Sequence, residues 1–537
     1  MSDAGSLDDI NRCPLATQAA RRPETLALAA PGERWTYAEM EAAVAATAGQ
    51  LADAGITPED RVAVHLPRGV DLVVLLWALW RRGAVAALLS TRLPPPAAVA
   101  SARRVGAGCI VTRAAEVAAS ARASAVTVLA PSTLVSTHTG RRDGPDAATP
   151  RNCDAPRWDL DRDATLVFTS GSTGPPKAAL HTLRNHVASA AGSNRNLPVG
   201  PGDRWLLSLP LYHVGGLAVL FRCALGGGAA VLPDPDAPLA AAVATSRATH
   251  LSLVATQLRR LLEAGGADGV DAGSEGEARR SPPTGLSAVL VGGGPVPSGL
   301  LDRAVDRGWP VHTTYGCTEM ASQVTTTAPG ASRDALATAG RVLPYRRLRI
   351  AGGTGPGTPG EILLRGPTLF RGYVRPAVEA GEATDAPTEA PPDPSSPRGP
   401  GLDPARDLDG WYHSGDRGFI DDRDRLHVVG RTDRMFVSGG ENIQPEEIEA
   451  VLEAEPGVQR AAVVPVKSET YGARPVAFVA AEEMDGKGWA RRLSAQVPRY
   501  KVPDAFHELP SAAVSGRMKI DHDLLQQRAE RLRRTME

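Results

Sequence analysis

Lysine is scarce in this chain. Of 59 basic residues only five are lysine (Lys177, Lys467, Lys487, Lys501 and Lys519) and the other 54 are arginine. A GC-rich coding sequence, poor in lysine codons, explains the general bias; an AT-rich gene would contradict that. Cysteine is scarce too. The five present (Cys13, Cys109, Cys153, Cys223, Cys317) are scattered without a CxxC pair, which argues against a disulfide framework or a zinc site. Long apolar runs are missing: the longest, Leu72–Trp80, is too short to span a bilayer. The polar, acidic N-terminus lacks the apolar stretch of a signal peptide, so a cytoplasmic location is expected. Charge of one sign is also lacking. With 59 basic and 60 acidic residues the net charge is −1, and nothing suggests the concentrated basic surface that nucleic acids or acidic membranes select.

What is present is ample. At roughly 100–200 residues per domain, 537 residues make two to four folding units. Apolar residues (42%) and charged residues (22%) stand near the soluble globular average. Strands at Arg61–Leu66 and Ala84–Leu89 flank an apolar helix at Leu72–Arg81, the rhythm of a parallel α/β layer. The rhythm continues through Leu166–Thr169, Arg204–Ser208, Ala229–Leu232, Ser287–Val291 and Val311–Thr314. A β-rich stretch follows (Arg347–Ala351, Glu361–Arg365, Gly418–Ile420, Leu426–Gly430). From Glu446 a smaller α+β unit begins, opening on an amphipathic helix. The expected fold class is therefore α/β: a large N-terminal domain with a small β-barrel-like part, and a small mobile α+β C-terminal domain. Residues 264–283 and 376–404 lack aromatics, the second carries eight prolines, and neither can bury enough apolar surface to offset its ordering entropy. Both are expected to be flexible insertions.

The strongest chemical signal is Thr169-Ser-Gly-Ser-Thr-Gly-Pro-Pro-Lys177, after a strand at Leu166–Phe168 and before an expected helix. Hydroxyls, glycines and a lysine suit a loop around phosphates, because glycine lets the backbone approach and hydroxyl and N–H groups donate to oxygens. It is not a Walker A loop, which needs Gly-Lys-Ser/Thr where Pro176-Lys177-Ala178 stands.

This loop resembles the signature of the adenylate-forming superfamily of acyl-CoA ligases, adenylation domains and luciferases. The family's other motifs follow in order: Tyr315-Gly-Cys-Thr-Glu319, Gly360-Glu361, Gly410-Trp-Tyr-His-Ser-Gly-Asp416, Gly430-Arg-Thr-Asp-Arg434 and Ser438-Gly-Gly-Glu-Asn-Ile-Gln-Pro445. The likeness spans roughly residues 13–525. It implies a carboxylate attacking the α-phosphate of ATP with Mg²⁺, then displacement of AMP by the thiol of coenzyme A. By this resemblance Thr169, Ser170, Gly171, Ser172, Thr173, Gly174 and Lys177 hold the β- and γ-phosphates. Thr318 touches the α-phosphate and Glu319 holds Mg²⁺. Gly292, Gly293, Gly294 and Pro295 line the adenine, with Tyr315 packed on it beside Gly316. Asp416 takes the ribose hydroxyls with Arg431 nearby. Asp433 is the hinge between domains 1–432 and 433–537, and Ser438, Gly439 and Gly440 wall the thiol tunnel. The lysine that reaches the reacting carboxylate is Lys519, with Arg517 the runner-up, because Gly516-Arg-Met-Lys519 departs from the usual Gly-Lys.

For the acid, three segments look like the o-succinylbenzoate–CoA ligases of menaquinone synthesis: Leu209–Arg222, Ser252–Leu262, and Val291–Pro297 with Gly340–Tyr345. His213 would gate the pocket, Thr256 and Gln257 would line it, and Arg222 would meet the carboxylate that is not activated. A buried arginine needs a partner; a structural acid is the competing assignment. Two other readings stand beside this one: another aryl- or medium-chain acyl-CoA ligase, and a non-catalytic AMP-binding protein. All partners in the favoured reading are small molecules (a carboxylic acid, ATP and CoA), with no nucleic acid and no membrane segment. Whether the chain acts as a homodimer or larger assembly stays open.

Overall fold

The computed structural model describes residues 7–135, 156–169, 176–264, 282–353, 355–375, 401–438, 441–468, 471–494, 496–515 and 519–536. Two large, mostly parallel sheets dominate the N-terminal part. The eight-stranded sheet runs, in spatial order, Leu402–Asp403, Gly372–Val374, Lys177–Thr182, Asp163–Thr169, Val85–Leu88, Arg61–His65, Cys109–Thr112 and Thr127–Leu129. The nine-stranded sheet is centred on Val311–Cys317, Ala288–Val291, His250–Leu253 and Arg204–Leu206, which run parallel.

The helices Tyr37–Asp53, Val70–Arg82, Leu183–Asn196 and Val214–Gly226 lie between these sheets and bury side chains against both. Leu72–Trp80 within helix Val70–Arg82 is buried and apolar all round, with charges only in its first and last turns, as expected of a central helix. The few aromatics are concentrated here: Trp77, Trp80, Trp158 and Phe221 pack with ring centroids 4.8–5.9 Å apart. Other helices cover the outer faces, Pro95–Arg104 and Ala115–Ala123 on the first sheet and Leu239–Ser246, Ala255–Ala264 and Ser298–Asp306 on the second. Helix Tyr37–Asp53 begins in a reciprocal cap: Glu39 N donates to Thr36 Oγ1 (3.2 Å) and Thr36 N to Glu39 Oε2 (2.7 Å). Thr36→Ala should lower stability by about 1 kcal/mol, read as a lower urea midpoint.

A four-stranded antiparallel sheet, Arg347–Ala351, Gly360–Arg365, Tyr412–Ile420 and Leu426–Arg431, completes the N-terminal part. The C-terminal part packs helices Pro445–Glu453, Gly486–Ser494 and His522–Met536 around the strands Val458–Ser468, Gly472–Ala481 and Ala505–Glu508. Arg259 Nη1 reaches across to the carbonyls of Val458 (3.1 Å) and Gln459 (2.6 Å).

One element differs from the sequence expectation. The segment after the Ser/Gly-rich loop is a strand, Lys177–Thr182, pairing antiparallel with Asp163–Thr169; the helix starts only at Leu183, behind a Thr182/Asn185 cap. The side chains Ala178–Thr182 are buried, which a helix would not have allowed beside this sheet. Asp416 is inside the strand Tyr412–Ile420 opposite Arg431. Of the two insertions, 265–281 and 376–400 lie outside the described residues, while Leu402–Asp403 is an edge strand on Gly372–Val374.

Candidate active site

The carboxyl ends of the parallel strands Ala288–Val291 and Val311–Cys317 point to one region, where ligands collect in open α/β sheets. Gly292–Pro295 is the turn leaving the first of these strands, with Gly293 at φ +80°. Tyr315 and Gly316 are on the second. At Gly316 a side chain would collide with the carbonyl of Ser322 on the neighbouring strand, so only glycine fits there.

Beyond Cys317 the chain makes the short turn Thr318–Met320 and doubles back through Ala321 (φ +53°) and Ser322 (φ +131°). Left-handed backbone at two successive non-glycine residues costs about 1–3 kcal/mol each, strain that persists only where surroundings over-determine it. The surroundings do. His181 Nε2 donates to the Thr318 carbonyl (2.7 Å), Phe370 N to the Glu319 carbonyl (2.7 Å) and Ser189 Oγ to the Ala321 carbonyl (3.0 Å). Burial pushes the His181 pKa down to about 4.

Glu319 is buried, and its Oε1 accepts from Tyr373 O–H (2.5 Å). That bond, burial and the Glu319 charge hold the Tyr373 phenol protonated. Lys177 Nζ sits over the same Tyr373 ring, 5.1 Å from its centroid. Lys177 and Glu319 are thus gathered round one tyrosine. Thr169, across the hairpin from Lys177, donates through Oγ1 to its carbonyl (3.4 Å). Ser170, Gly171, Ser172, Thr173 and Gly174 lie outside the described residues.

A second chain of contacts starts at Tyr315. Its hydroxyl donates to Asp416 Oδ2 (2.6 Å), Arg431 Nη1 to Asp416 Oδ1 (3.1 Å), and Arg431 grips Asp433 through Nε (2.9 Å) and Nη2 (3.1 Å). Burial raises the Asp416 pKa, while Tyr315 and Arg431 pull it back. Two carboxylates flank Arg431 and raise its pKa, the Asp433 bond most.

In the acid-side segments, Arg222 is fully buried on helix Val214–Gly226. Its Nη2 donates to Gln323 Oε1 (2.7 Å) and Ser322 Oγ (3.2 Å), and its guanidinium stacks on Trp205 at 4.9 Å. Among the described residues its Nε has no hydrogen-bond partner and it forms no ion pair. The structural acid that competed for it is therefore not found among the described residues. Burial lowers its pKa to about 10. Behind it Arg346, buried and lowered to about 9 by burial and by Arg222, donates only to neutral acceptors, including Gln323 O (2.7 Å) and Ser189 O (2.9 Å). Gln257 bonds Val254 N (3.1 Å) and Ser208 O (3.3 Å), next to Thr256 at the start of helix Ala255–Ala264. His213 precedes helix Val214–Gly226 with an exposed ring against Tyr212; its crowded setting and the Arg92 charge lower its pKa.

In the C-terminal part Ser438 is buried, with Arg474 Nη1 3.5 Å from its hydroxyl, and Gly439 and Gly440 lie outside the described residues. Lys519 opens a two-residue strand paired with Val514–Ser515, and Arg517 lies outside the described residues. Sequence reasoning missed Tyr373 at Glu319, His181 at Thr318, Gln323 and Trp205 at Arg222, and Arg346 behind it, none of which carries a local signal.

The profile of the AMP-binding enzyme family matches residues 15–374, and that of the AMP-binding enzyme C-terminal domain matches residues 447–515. The chain belongs to the AMP-binding enzyme family. The 2-succinylbenzoate–CoA ligase of Bacillus cytotoxicus is 32% identical over 510 residues, 93% of this chain and 95% of that protein. Two structures of the o-succinylbenzoate CoA synthetase MenE from Bacillus subtilis are similar throughout. That with its acyl-adenylate intermediate OSB-AMP gives a TM-score of 0.78 at 27% identity, covering 96% of this chain and 98% of that one. That with ATP and magnesium ion gives 0.75 at 28%, covering 92% and 95%. The expected fold class, a large N-terminal AMP-binding domain followed by a smaller C-terminal one, is borne out. Among the described residues no helix is long and apolar enough to cross a membrane.

Glu319 suits magnesium. It supplies hard oxygen, and among the described residues no cluster of three or more acidic, histidine or cysteine side chains could cage a metal alone. Magnesium is commonly held by one or two carboxylates together with substrate phosphates and water. Bound there, the ion would neutralise phosphate charge. Asp416→Ala should raise KM for ATP about 10- to 100-fold, the worth of a hydrogen bond to a charged group, and lower stability by about 1–3 kcal/mol because it leaves the Tyr315 hydroxyl without an acceptor. Steady-state kinetics at saturating acid check this.

Proposed function

We propose that this chain is an ATP-dependent ligase that activates o-succinylbenzoate and transfers it to CoA, a step of menaquinone synthesis that we place in the cytoplasm. One observation supports the choice of acid above the others. Among the described residues Arg222 is a buried cation with neutral partners only, attached through Ser322 and Gln323 to the turn that carries Glu319. A buried charge without a counter-charge is strongly unfavourable, so a carboxylate from the substrate is favoured beside Arg222. o-Succinylbenzoate has two carboxylates. Its aromatic one meets Arg222 while its aliphatic one reacts. A fatty acid brings no second carboxylate.

In the first half-reaction an oxygen of the aliphatic carboxylate forms a bond to the α-phosphorus, and the bond from that phosphorus to the pyrophosphate oxygen breaks. Charge spreads over phosphate oxygens, so positioned cations and donors do the stabilising. Thr169, Ser170–Gly174 and Lys177 hold the departing phosphates, Thr318 the α-phosphate, and Lys519 spans the carboxylate and α-phosphate. Gly292–Pro295 and Tyr315 frame the adenine, and Asp416 and Arg431 fix the ribose. In the second half-reaction the CoA sulfur bonds to the acyl carbon and AMP leaves with the C–O electron pair. We assign residues 1–432 and 433–537 to the fixed and moving domains, with Asp433 as hinge. Rotation there withdraws Lys519 and brings Ser438–Gly440 to the thiol path, with His213 at the mouth of the acid pocket. Purified protein given o-succinylbenzoate, ATP and magnesium should release pyrophosphate, and adding CoA should yield AMP and o-succinylbenzoyl-CoA by mass spectrometry. Absence of pyrophosphate with this acid but release with others would overturn the assignment.

A further inference from the structure

We propose that His181 is a positioning residue for adenylation: its Nε2–H holds the Thr318 carbonyl and thereby keeps the strained Thr318–Ser322 turn aimed at the nucleotide. This rests on the adenylate-forming reading above and goes beyond it, since no motif includes His181.

A carbonyl oxygen can only accept, so the His181 proton must be on Nε2, facing Thr318 at 2.7 Å. The ring cannot drift. It is fully buried, packed against His186 (centroids 5.3 Å) and Phe370 (6.3 Å). His186 is fixed in turn by Thr165 Oγ1 at 2.6 Å and by stacking on Phe221. The turn needs such a hold because Ala321 and Ser322 both have positive φ without being glycine. Relaxation of that backbone would displace Thr318 and Glu319 on one side and Ser322, a partner of Arg222, on the other. His181 is on the strand beginning at Lys177, so one strand both presents the phosphate lysine and braces the turn opposite. Neighbours that orient groups at a metal or reaction centre typically affect activity about 10- to 100-fold.

The test compares wild type, His181→Gln and His181→Leu in ATP–pyrophosphate exchange with o-succinylbenzoate, with melting temperature and AMP affinity read in parallel. Glutamine keeps an N–H donor; leucine fills the space without one. The leucine variant should lose about 10- to 100-fold in kcat. The glutamine variant should recover most of that loss, and both should melt as cooperatively as wild type. Equal impairment of both variants, or a folded leucine variant at the wild-type rate, overturns the proposal. Wild-type exchange tests the adenylation reading on its own, and the ratio between the variants tests His181, so the two failures are told apart.

Discussion

Lys519→Ala should reduce ATP-dependent pyrophosphate release about 10²- to 10³-fold, while CoA thiolysis of supplied o-succinylbenzoyl-adenylate stays within a few-fold of wild type. The size follows from removing one preorganised donor from a site where negative charge develops. The asymmetry follows from the proposed switch of domains, in which the lysine is needed when carboxylate and α-phosphate react and is turned away when the thiol attacks. Lysine brings a compact ammonium with rotatable donors, and the planar arginine fork is not its equivalent. Lys519→Arg should therefore stay impaired, although this chain uses arginine almost everywhere else. Two of its five lysines, Lys177 and Lys519, fall at the two positions assigned to phosphates and reacting carboxylate. Lys467, Lys487 and Lys501 have no motif. Equal loss of both half-reactions in Lys519→Ala would refute the role.

Arg222→Met should lower kcat/KM for o-succinylbenzoate about 10²- to 10³-fold, because truncating one side of a desolvated charge pair leaves the other charge buried and unpaired. The same variant should leave the acid lacking the aromatic carboxylate unaffected or improved, since it has no charge to lose. Methionine is close in length and suits an apolar helix flank, so the fold should tolerate it: Arg222 makes no ion pair among the described residues. Kinetics with both acids on both proteins separate this from a general loss of packing against Trp205, which would hurt both substrates alike.

Much of this was legible in the sequence, for physical reasons. The phosphate loop is recognisable because glycine, hydroxyl and lysine are needed together within nine residues. The buried helix Val70–Arg82 is recognisable because its stretch Leu72–Trp80 has no polar face. The strand Lys177–Thr182 was not, because Ala178-Ala-Leu180 suits helix and strand alike and its pairing with Asp163–Thr169 is set by tertiary context. Asp416 was recognisable by its motif alone, since an aspartate by itself favours turns, and its strand position opposite Arg431 is set by tertiary pairing. The bonds of Tyr373 to Glu319 and of Gln323 to Arg222 join residues 54 and 101 positions apart, a relation that no local pattern encodes.

The most direct test of the account is a comparison of two acids on the wild-type protein: o-succinylbenzoate, and 4-oxo-4-phenylbutanoate, which differs only in lacking the aromatic carboxylate. With ATP and magnesium present, pyrophosphate release gives kcat/KM for each. A buried Arg222 that reads the second carboxylate predicts a preference for o-succinylbenzoate of about 10²-fold or more. Equal values, or a preference for the monoacid, would contradict it.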